Sequence, residues 1–197
     1  MMTVVSQTPI LTTHRLILRP WREPDREPFA RMNADPRVME FLAMRPSREE
    51  SDALADKIET LFREHGFGLW AAELRRDGAF VGFVGFDIPS YDAPYSVELG
   101  WRLAVEHWGQ GLATEGAQAA VGYGFQTLGF PEIVATTVPA NTRSRRVMEK
   151  LGMTHDSADD FEHPLLPEEH PLRRHVLYRL GRLEWQRRRH MVTLEQL

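Results

Sequence analysis

The sequence contains no cysteine, and this absence excludes several kinds of chemistry at once. Without thiols, the 197-residue chain has no disulfide, no cysteine nucleophile and no cysteine-containing metal site. A reaction that needs a cysteine-bound intermediate is therefore excluded. Residues 1–13 also lack a basic segment followed by an apolar run, so the sequence predicts no secretory signal there.

A long apolar run and an excess of positive charge are missing as well. The longest uncharged stretch, residues 116–131, contains glycine, glutamine and threonine and is too polar to span a bilayer. The chain has 24 Lys and Arg residues against 28 Asp and Glu residues, which gives a formal net charge of -4. Nucleic-acid-binding proteins usually carry a basic face, so this balance disfavours such a ligand. We therefore expect a cytoplasmic protein that binds neither nucleic acid nor a membrane.

What is present is the composition of a globular protein with a real core. Hydrophobic residues make up 42% of the chain and charged residues 26%. Alternating patterns typical of antiparallel strands come first, and units of a strand followed by a helix come later. This order predicts a mixed α/β sheet with helices on both faces.

One stretch, residues 97–115, organises the chain. Its first half alternates apolar and polar positions, which predicts a strand. Gly109 and Gly111 then allow a tight turn with accessible backbone amides, and we predict a helix from Leu112. A strand that leads through a glycine turn into a helix N-terminus is typical of a phosphate or pyrophosphate site.

The two glycines alone leave three interpretations open. The first is an ordinary connection between a strand and a helix. The second is a dinucleotide-binding fingerprint, but Thr114 stands where that motif has a third glycine or alanine, and the next suitable acidic residue, Glu132, opens a strand. The third is an acyl-coenzyme A site, which depends on the residues downstream.

Two motifs in the right order favour the third interpretation. Residues 108–115 read WGQGLATE, and residues 141–153 read NTRSRRVMEKLGM. Together they resemble the GNAT superfamily of N-acetyltransferases, and within it the branch of the ribosomal-protein alanine acetyltransferases. Residues 13–19, THRLILR, are similar to the first strand of that branch.

The resemblance covers residues 11–180, which we take as one acetyltransferase domain, followed by a basic helical extension over residues 181–197. It implies the GNAT fold, a mixed and largely antiparallel sheet flanked by helices. It also implies acetyl-coenzyme A as cosubstrate, with the pyrophosphate on the amides of the glycine turn. The predicted cofactor-binding residues are Leu103, Ala104, Val105, Trp108, Gly109, Gln110, Gly111, Leu112, Ala113, Thr114, Asn141 and Ser144.

For the chemistry, the resemblance implies direct transfer of an acetyl group to an amine, with an oxyanion held by an amide of residues 103–105. An alkyl amine is mostly protonated at neutral pH, so it needs a base, and Glu98 is the candidate. The alternative is a half-exposed strand glutamate with no catalytic role. In many superfamily members a tyrosine acts as the general acid that protonates the leaving thiolate. This chain has Met148 at that position, which leaves Ser144 as the hydroxyl that could hydrogen-bond the thiol or the pantetheine. Capping of a helix by Asn141 and Ser144 is the structural alternative.

We therefore predict an N-acetyltransferase whose acceptor is a protein N-terminus or a small amine, with a homodimer left open. A non-catalytic acyl-coenzyme A sensor is the alternative function. Four histidines, His155, His163, His170 and His175, match no metal-ligand spacing, and we predict no metal. The acidic loop over residues 159–171 would favour a cationic acceptor if it covers the acceptor site.

Overall fold

The computed structural model describes residues 8–43, 45–91, 93 and 95–194. The start of the stretch tested for a secretory signal, residues 1–7, and the end of the predicted extension, residues 195–197, lie outside the described residues. The chain divides into two compact units, Met1–Asp87 with Leu99–Ala120, and Ile88–Glu98 with Val121–Leu197.

The strands of the first unit are antiparallel and follow one another in space as they do in sequence. They are β1 (Leu11–Thr12), β2 (Leu16–Arg19), β3 (Leu69–Leu74) and β4 (Phe80–Asp87), and β5 (Glu98–Leu103) continues this unit from Leu99. Strands β3 and β4 form a hairpin, with Gly78 at φ 73° in its turn. Alternate strand residues such as Leu16, Leu18 and Trp70 are fully buried and form the core.

The first unit contains two α-helices. They are α1 (Arg26–Ala34), after a single 3-10 turn at Glu23–Asp25, and α2 (Arg48–His65). At the start of α2, the Ser47 hydroxyl accepts from the Glu50 amide and the Glu50 carboxylate accepts from the Ser47 amide, which forms a capping box. Gly66, at φ 73°, ends α2.

The second unit contains β6 (Glu132–Thr137), β7 (Thr154–His155), β8 (Phe161–Glu162) and β9 (Arg174–Gly181). Strand β6 pairs in parallel with the first residue of β5, Glu98 opposite Val134, and antiparallel with β9. Both β7 and β8 pair antiparallel with β9. The mixed and largely antiparallel architecture predicted from the sequence is confirmed.

Three further helices complete the chain: α3 (Leu112–Gln126), α4 (Thr142–Leu151) and α5 (Arg182–Leu194). The predicted C-terminal helix is confirmed, and it packs on other residues of the second unit. Trp185 lies 5.2 Å from Phe125 between ring centroids, and the Arg182 Nε donates to the Phe130 carbonyl at 2.8 Å. The domain boundary at residue 180 stays a prediction. Within the described ranges, no helix combines the length and apolar character needed to cross a membrane.

Strands β4 and β5 approach unusually closely at Gly82. A Cβ atom at this position would lie 2.1 Å from the Arg102 carbonyl oxygen and 2.8 Å from the Leu103 Cα. The backbone of Gly82 also has φ 138°, which side chains with a Cβ rarely adopt. This contact fixes the end of β5, which a 3-10 turn at Val105–His107 connects to the glycine turn.

Replacing Gly82 by alanine should therefore force the end of β5 away from β4. We expect the free energy of unfolding, measured by urea denaturation, to fall by about 2–4 kcal/mol. The matched control is Gly122→Ala in α3, where the nearest heavy atom would be 4.0 Å away. Because alanine favours a helix, that variant should gain up to about 1 kcal/mol. Equal effects in the two variants would contradict the close approach at Gly82.

Candidate functional site

The turn after β5 has the geometry of an anion-binding loop. Gly109 and Gly111 have φ 71° and 77°, so both require glycine for their backbone conformation. A Cβ at Gly109 would meet no atom within 4 Å, and one at Gly111 would meet only the Arg15 Nη2, at 3.6 Å. The surface above the turn is therefore open.

Helix α3 begins directly at this turn, because the Glu115 amide donates to the Gly111 carbonyl at 3.0 Å. The amides of Leu112, Ala113 and Thr114 thus occupy the first helical turn, where N–H groups have no acceptor within the helix. The Leu112 side chain is buried, so only its backbone can face a ligand. The strand, turn and helix predicted from the sequence are confirmed, and their amides suit a phosphate group.

The side chains of Trp108 and Gln110 brace the turn internally. The Trp108 Nε1 donates to the Leu103 carbonyl at 2.7 Å, and the Gln110 Nε2 donates to the Glu106 carbonyl at 3.0 Å. Each bond ties the turn to the segment that precedes it. A ligand at this turn would therefore be held by the backbone of these two residues.

One of the three predicted oxyanion donors is already engaged. The Ala104 amide donates to the Val81 carbonyl at 3.0 Å and so continues the pairing of β4 with β5. This corrects the inclusion of Ala104 among the candidate amide donors, because an amide bonded within the sheet does not reach a ligand. Leu103 and Val105 stay predicted donors.

A network around Glu115 attaches strand β2 to the glycine turn. The Glu115 Oε1 accepts from the Thr13 hydroxyl at 2.6 Å and the Arg15 amide at 2.7 Å, and its Oε2 accepts from the Arg15 Nε at 2.6 Å. The Arg15 Nη1 also donates to the Gln110 carbonyl at 2.8 Å. Sequence reasoning missed this role of Arg15, because nothing local to residue 15 indicates a partner a hundred positions away.

These contacts change the acidity of Glu115 and bring a cation to the turn. Burial by itself would raise the pKa of Glu115, but the hydrogen bonds from Thr13 and Arg15 outweigh it and hold the pKa below its ordinary value of 4.5. The Arg15 guanidinium, which is partly exposed, lies beside Gly111. Because the Arg15 charge is paired with that of Glu115, the open amides are the main attraction for an anion, and the guanidinium adds N–H donors beside them.

In the second unit, two hydroxyl groups hold the carboxylate of Glu98. The Thr136 hydroxyl donates to Oε1 at 2.6 Å, and the Tyr95 hydroxyl donates to Oε2 at 3.1 Å. The Tyr95 hydroxyl also lies 2.8 Å from that of Tyr91. Burial raises the pKa of both tyrosines, and the Glu98 charge adds to it, so both stay protonated at neutral pH.

Sequence reasoning missed Thr136 and Tyr95. Glu98 pairs with Val134, and Thr136 lies two residues further along β6, on the same face. The strand pattern of β6 was visible, but its register beside Glu98 was not. Tyr95 lies in the connection between β4 and β5, outside any strand or helix, where no periodic pattern indicates a contact with Glu98.

The start of α4 confirms the predicted capping. The Asn141 Oδ1 accepts from the Ser144 amide at 3.2 Å, and the Asn141 Nδ2 donates to the Thr137 hydroxyl at 3.0 Å. Gly152 ends the helix at φ 81°. Met148 is buried in the core, and its thioether has no proton to donate, so this position supplies no general acid. The Ser144 hydroxyl is partly exposed, and its catalytic role stays a prediction.

The acidic loop folds back on arginines of β9 and the segment before it. Asp159 pairs with Arg179 at 2.6 Å, and Asp160 lies 2.7 Å from His155 and 3.4 Å from Arg174. These contacts neutralise carboxylates that the sequence analysis considered for a cationic acceptor. In the part of the chain that the structure describes, no three His, Asp or Glu side chains come together as a metal site would require.

Comparisons with known proteins agree with this geometry. The family model of the Acetyltransferase (GNAT) domain matches residues 15–154. The FsC-acetyl coenzyme A-N(2)-transacetylase of Aspergillus fumigatus is 35% identical over 165 residues, which cover 78% of this chain and 68% of that protein.

Solved structures resemble the chain over most of its length. An acetyltransferase from Agrobacterium tumefaciens is 28% identical with a TM-score of 0.74, and the match covers 92% of this chain and 99% of that one. Mycobacterium smegmatis RimJ, solved in complex with CoA-disulfide, has a TM-score of 0.70 at 23% identity, and the match covers 88% of each chain. At that identity the second likeness concerns the fold alone.

Replacing Glu115 by glutamine should weaken the network that holds the turn. We expect the free energy of unfolding at pH 7 to fall by about 1–2 kcal/mol. Because the folded-state pKa of Glu115 is lowered, its contribution is present above the ordinary value of 4.5 and is lost as the pH falls through the folded-state value. Urea denaturation between pH 7 and about pH 2 should therefore show the two proteins converging in acid. Glu168→Gln, at an exposed loop position, is the control, and a difference that does not shrink in acid would disprove this account.

Proposed function

This chain belongs to the GNAT family of acetyl-coenzyme A-dependent acetyltransferases, and we propose that it moves the acetyl group directly to a primary amine within a ternary complex. The observation that carries the proposal is the open glycine turn, at which the first amides of α3 lie close to the Nη2 of Arg15. The acceptor is a protein N-terminus or a small amine.

The residues of the turn fit the diphosphate of coenzyme A. Backbone amides of residues 109–114 would hold its oxygens, and the φ values of Gly109 and Gly111 let these amides point outward. Arg15 supplies a cation beside the turn, whereas the Trp108 side chain is bonded to the strand end. The bound cosubstrate supplies an acetyl thioester, which is already activated for attack by an amine.

We assign the general base to Glu98. Its carboxylate accepts hydrogen bonds from two neutral hydroxyls, those of Thr136 and Tyr95. These two bonds orient both oxygens of the carboxylate. Glu98 receives a proton from the acceptor ammonium, directly or through a water molecule.

The step then balances without a covalent enzyme intermediate. The amine nitrogen forms a bond to the acetyl carbon, and an amide at Leu103 or Val105 would donate to the oxyanion. The bond from that carbon to sulfur then breaks, and the thiolate leaves with its electron pair. The nitrogen loses its remaining extra proton to solvent, and the thiolate takes a proton from solvent or from the Ser144 hydroxyl, which solvent then reprotonates.

The release of free thiol from acetyl-coenzyme A tests the proposal. A panel of small amines and peptides with free N-termini should include acceptors that give thiol and the N-acetylated product in equal amounts. If coenzyme A binds and no amine in a broad panel reacts, the chain is an acyl-coenzyme A sensor instead. If coenzyme A does not bind, both functions are wrong.

Replacing Gly111 by valine should weaken binding of coenzyme A, because a β-branched residue is strained at φ 77° and covers the turn. The matched control is Gly78→Val, since Gly78 has φ 73° with the same open space but lies in the β3–β4 hairpin. Both variants should lose similar stability in thermal melting. Only Gly111→Val should lose affinity in calorimetric titration, by about 10-fold or more. Equal affinities in the two variants would remove the turn from the cofactor site.

Replacing Glu98 by glutamine should lower kcat by about 100-fold or more, because the amide accepts no proton. The affinity for coenzyme A should stay nearly unchanged. Glu132→Gln is the matched control, because Glu132 is the first residue of the neighbouring strand β6 and pairs with Arg179. An unchanged kcat in the Glu98 variant would show that this glutamate is structural.

Tyr95→Phe separates the base from the group that positions it. Loss of the hydroxyl removes one donor to the carboxylate, so the acidic limb of the pH–rate profile should move to higher pH. The maximal rate should fall less than in Glu98→Gln. A lower rate with an unmoved profile would mean that Tyr95 acts only through folding.

A further inference from the structure

Arg102 is a partly buried cation with no carboxylate partner among the described residues. It lies in β5, and its Nη1 donates to the Asn33 Oδ1 at 2.7 Å. Its guanidinium lies 5.2 Å from the centre of the Phe83 ring. A guanidinium has five N–H donors, and the other four have no acceptor in the parts of the chain that are described.

The neighbouring arginines of the same unit are different. Arg19 is bonded to the carboxylates of Asp25 and Glu73, and Arg15 is bonded to that of Glu115. A carboxylate partner compensates a guanidinium for the water that it loses on burial, whereas burial of an unpaired charge is unfavourable. Burial lowers the pKa of Arg102 to about 10, so the group remains charged at neutral pH but is poorly solvated.

The position of Arg102 is fixed by a buried amide. Asn33 in α1 and Ser51 in α2 are both fully buried. The Asn33 Nδ2 donates to the Ser51 hydroxyl at 2.8 Å, which fixes the amide so that its oxygen faces Arg102. The guanidinium is thus held on one edge and over a ring, with its other edge available. This preorganisation suits two parallel hydrogen bonds to a planar anion.

We propose that Arg102 binds a carboxylate of the acceptor, so that the acceptor carries both a primary amine and a carboxylate. The inference rests on the proposed function, because it takes the amine acceptor from there. The phosphates of the cosubstrate already have their own donors in the glycine turn. Within β5, the residues Glu98, Gly100 and Arg102 alternate with Leu99 and Trp101 and therefore project from one face of the strand.

Paired acceptors test the proposal. Amino acids are compared with their amides, and peptides with glutamate near a free N-terminus are compared with peptides that carry glutamine there. The first pairs probe a small-molecule carboxylate and the second a protein acceptor. For the wild-type chain, kcat/KM for the acid should exceed that for the amide by about 10- to 100-fold in one of the two sets.

Variants at Arg102 show whether the guanidinium causes the preference. Arg102→Met should reduce kcat/KM for the acid to that for the amide, mainly through KM, and leave the amide unchanged. Arg102→Lys should keep part of the preference, since it keeps the charge but loses the planar fork. Arg63→Met, at an exposed position of α2, is the control and should behave as wild type.

Asn33→Asp tests whether the preference needs an unpaired charge on Arg102, because it leaves the guanidinium in place. The new carboxylate would pair with Arg102, so the preference for the acid should disappear while the protein stays folded.

Equal rates for acid and amide in the wild type, or equal losses for both in Arg102→Met, would overturn the proposal. Stabilisation of the coenzyme A-loaded protein by the acids but not the amides, in thermal melting, gives a readout without turnover, and its absence with every pair would also overturn it. If acids stabilise the protein but no amine is acetylated, the proposed function fails and the carboxylate site stands.

Discussion

The carboxylate of Glu115 accepts three hydrogen bonds, one from the Thr13 hydroxyl and two from Arg15, and so attaches the entry of β2 to the first turn of α3. Because Arg15 also bonds the Gln110 carbonyl, the glycine turn is held from outside as well as by its own backbone. A turn that needs two positive φ values is costly to order, and this network stabilises it before a ligand arrives. The diphosphate site that we propose at this turn depends on that order.

Three arginines of the first unit differ in how their charge is compensated. Arg19 meets two carboxylates, and Arg15 meets one, so each cation recovers in hydrogen bonds what it loses in hydration. Arg102 has only neutral partners among the described residues, one hydrogen bond to the Asn33 amide oxygen and a contact with the Phe83 ring. An uncompensated cation weakens the folded state unless an anion binds, which is why we relate Arg102 to the acceptor and not to folding.

Glu98 is held in another way. The hydroxyls of Thr136 and Tyr95 donate to its two oxygens and so orient the carboxylate. Thr136 reaches Glu98 through the pairing of β5 with β6, and Tyr95 reaches it from the connection between β4 and β5.

The sequence by itself determined the local features: the strand, turn and helix around Gly109 and Gly111, the capping box at Ser47, and the cap at Asn141. Each of these depends on the conformational preferences of residues that are neighbours in the chain, and the two motifs together indicated the family. Only the tertiary structure decided which groups surround those features. Arg15 reaches Glu115 across a hundred residues, and Thr136 meets Glu98 because β5 and β6 pair in one register. The Ala104 amide is engaged because β4 approaches β5 closely at Gly82. Such contacts join segments far apart in the chain, so no local pattern of residues encodes them.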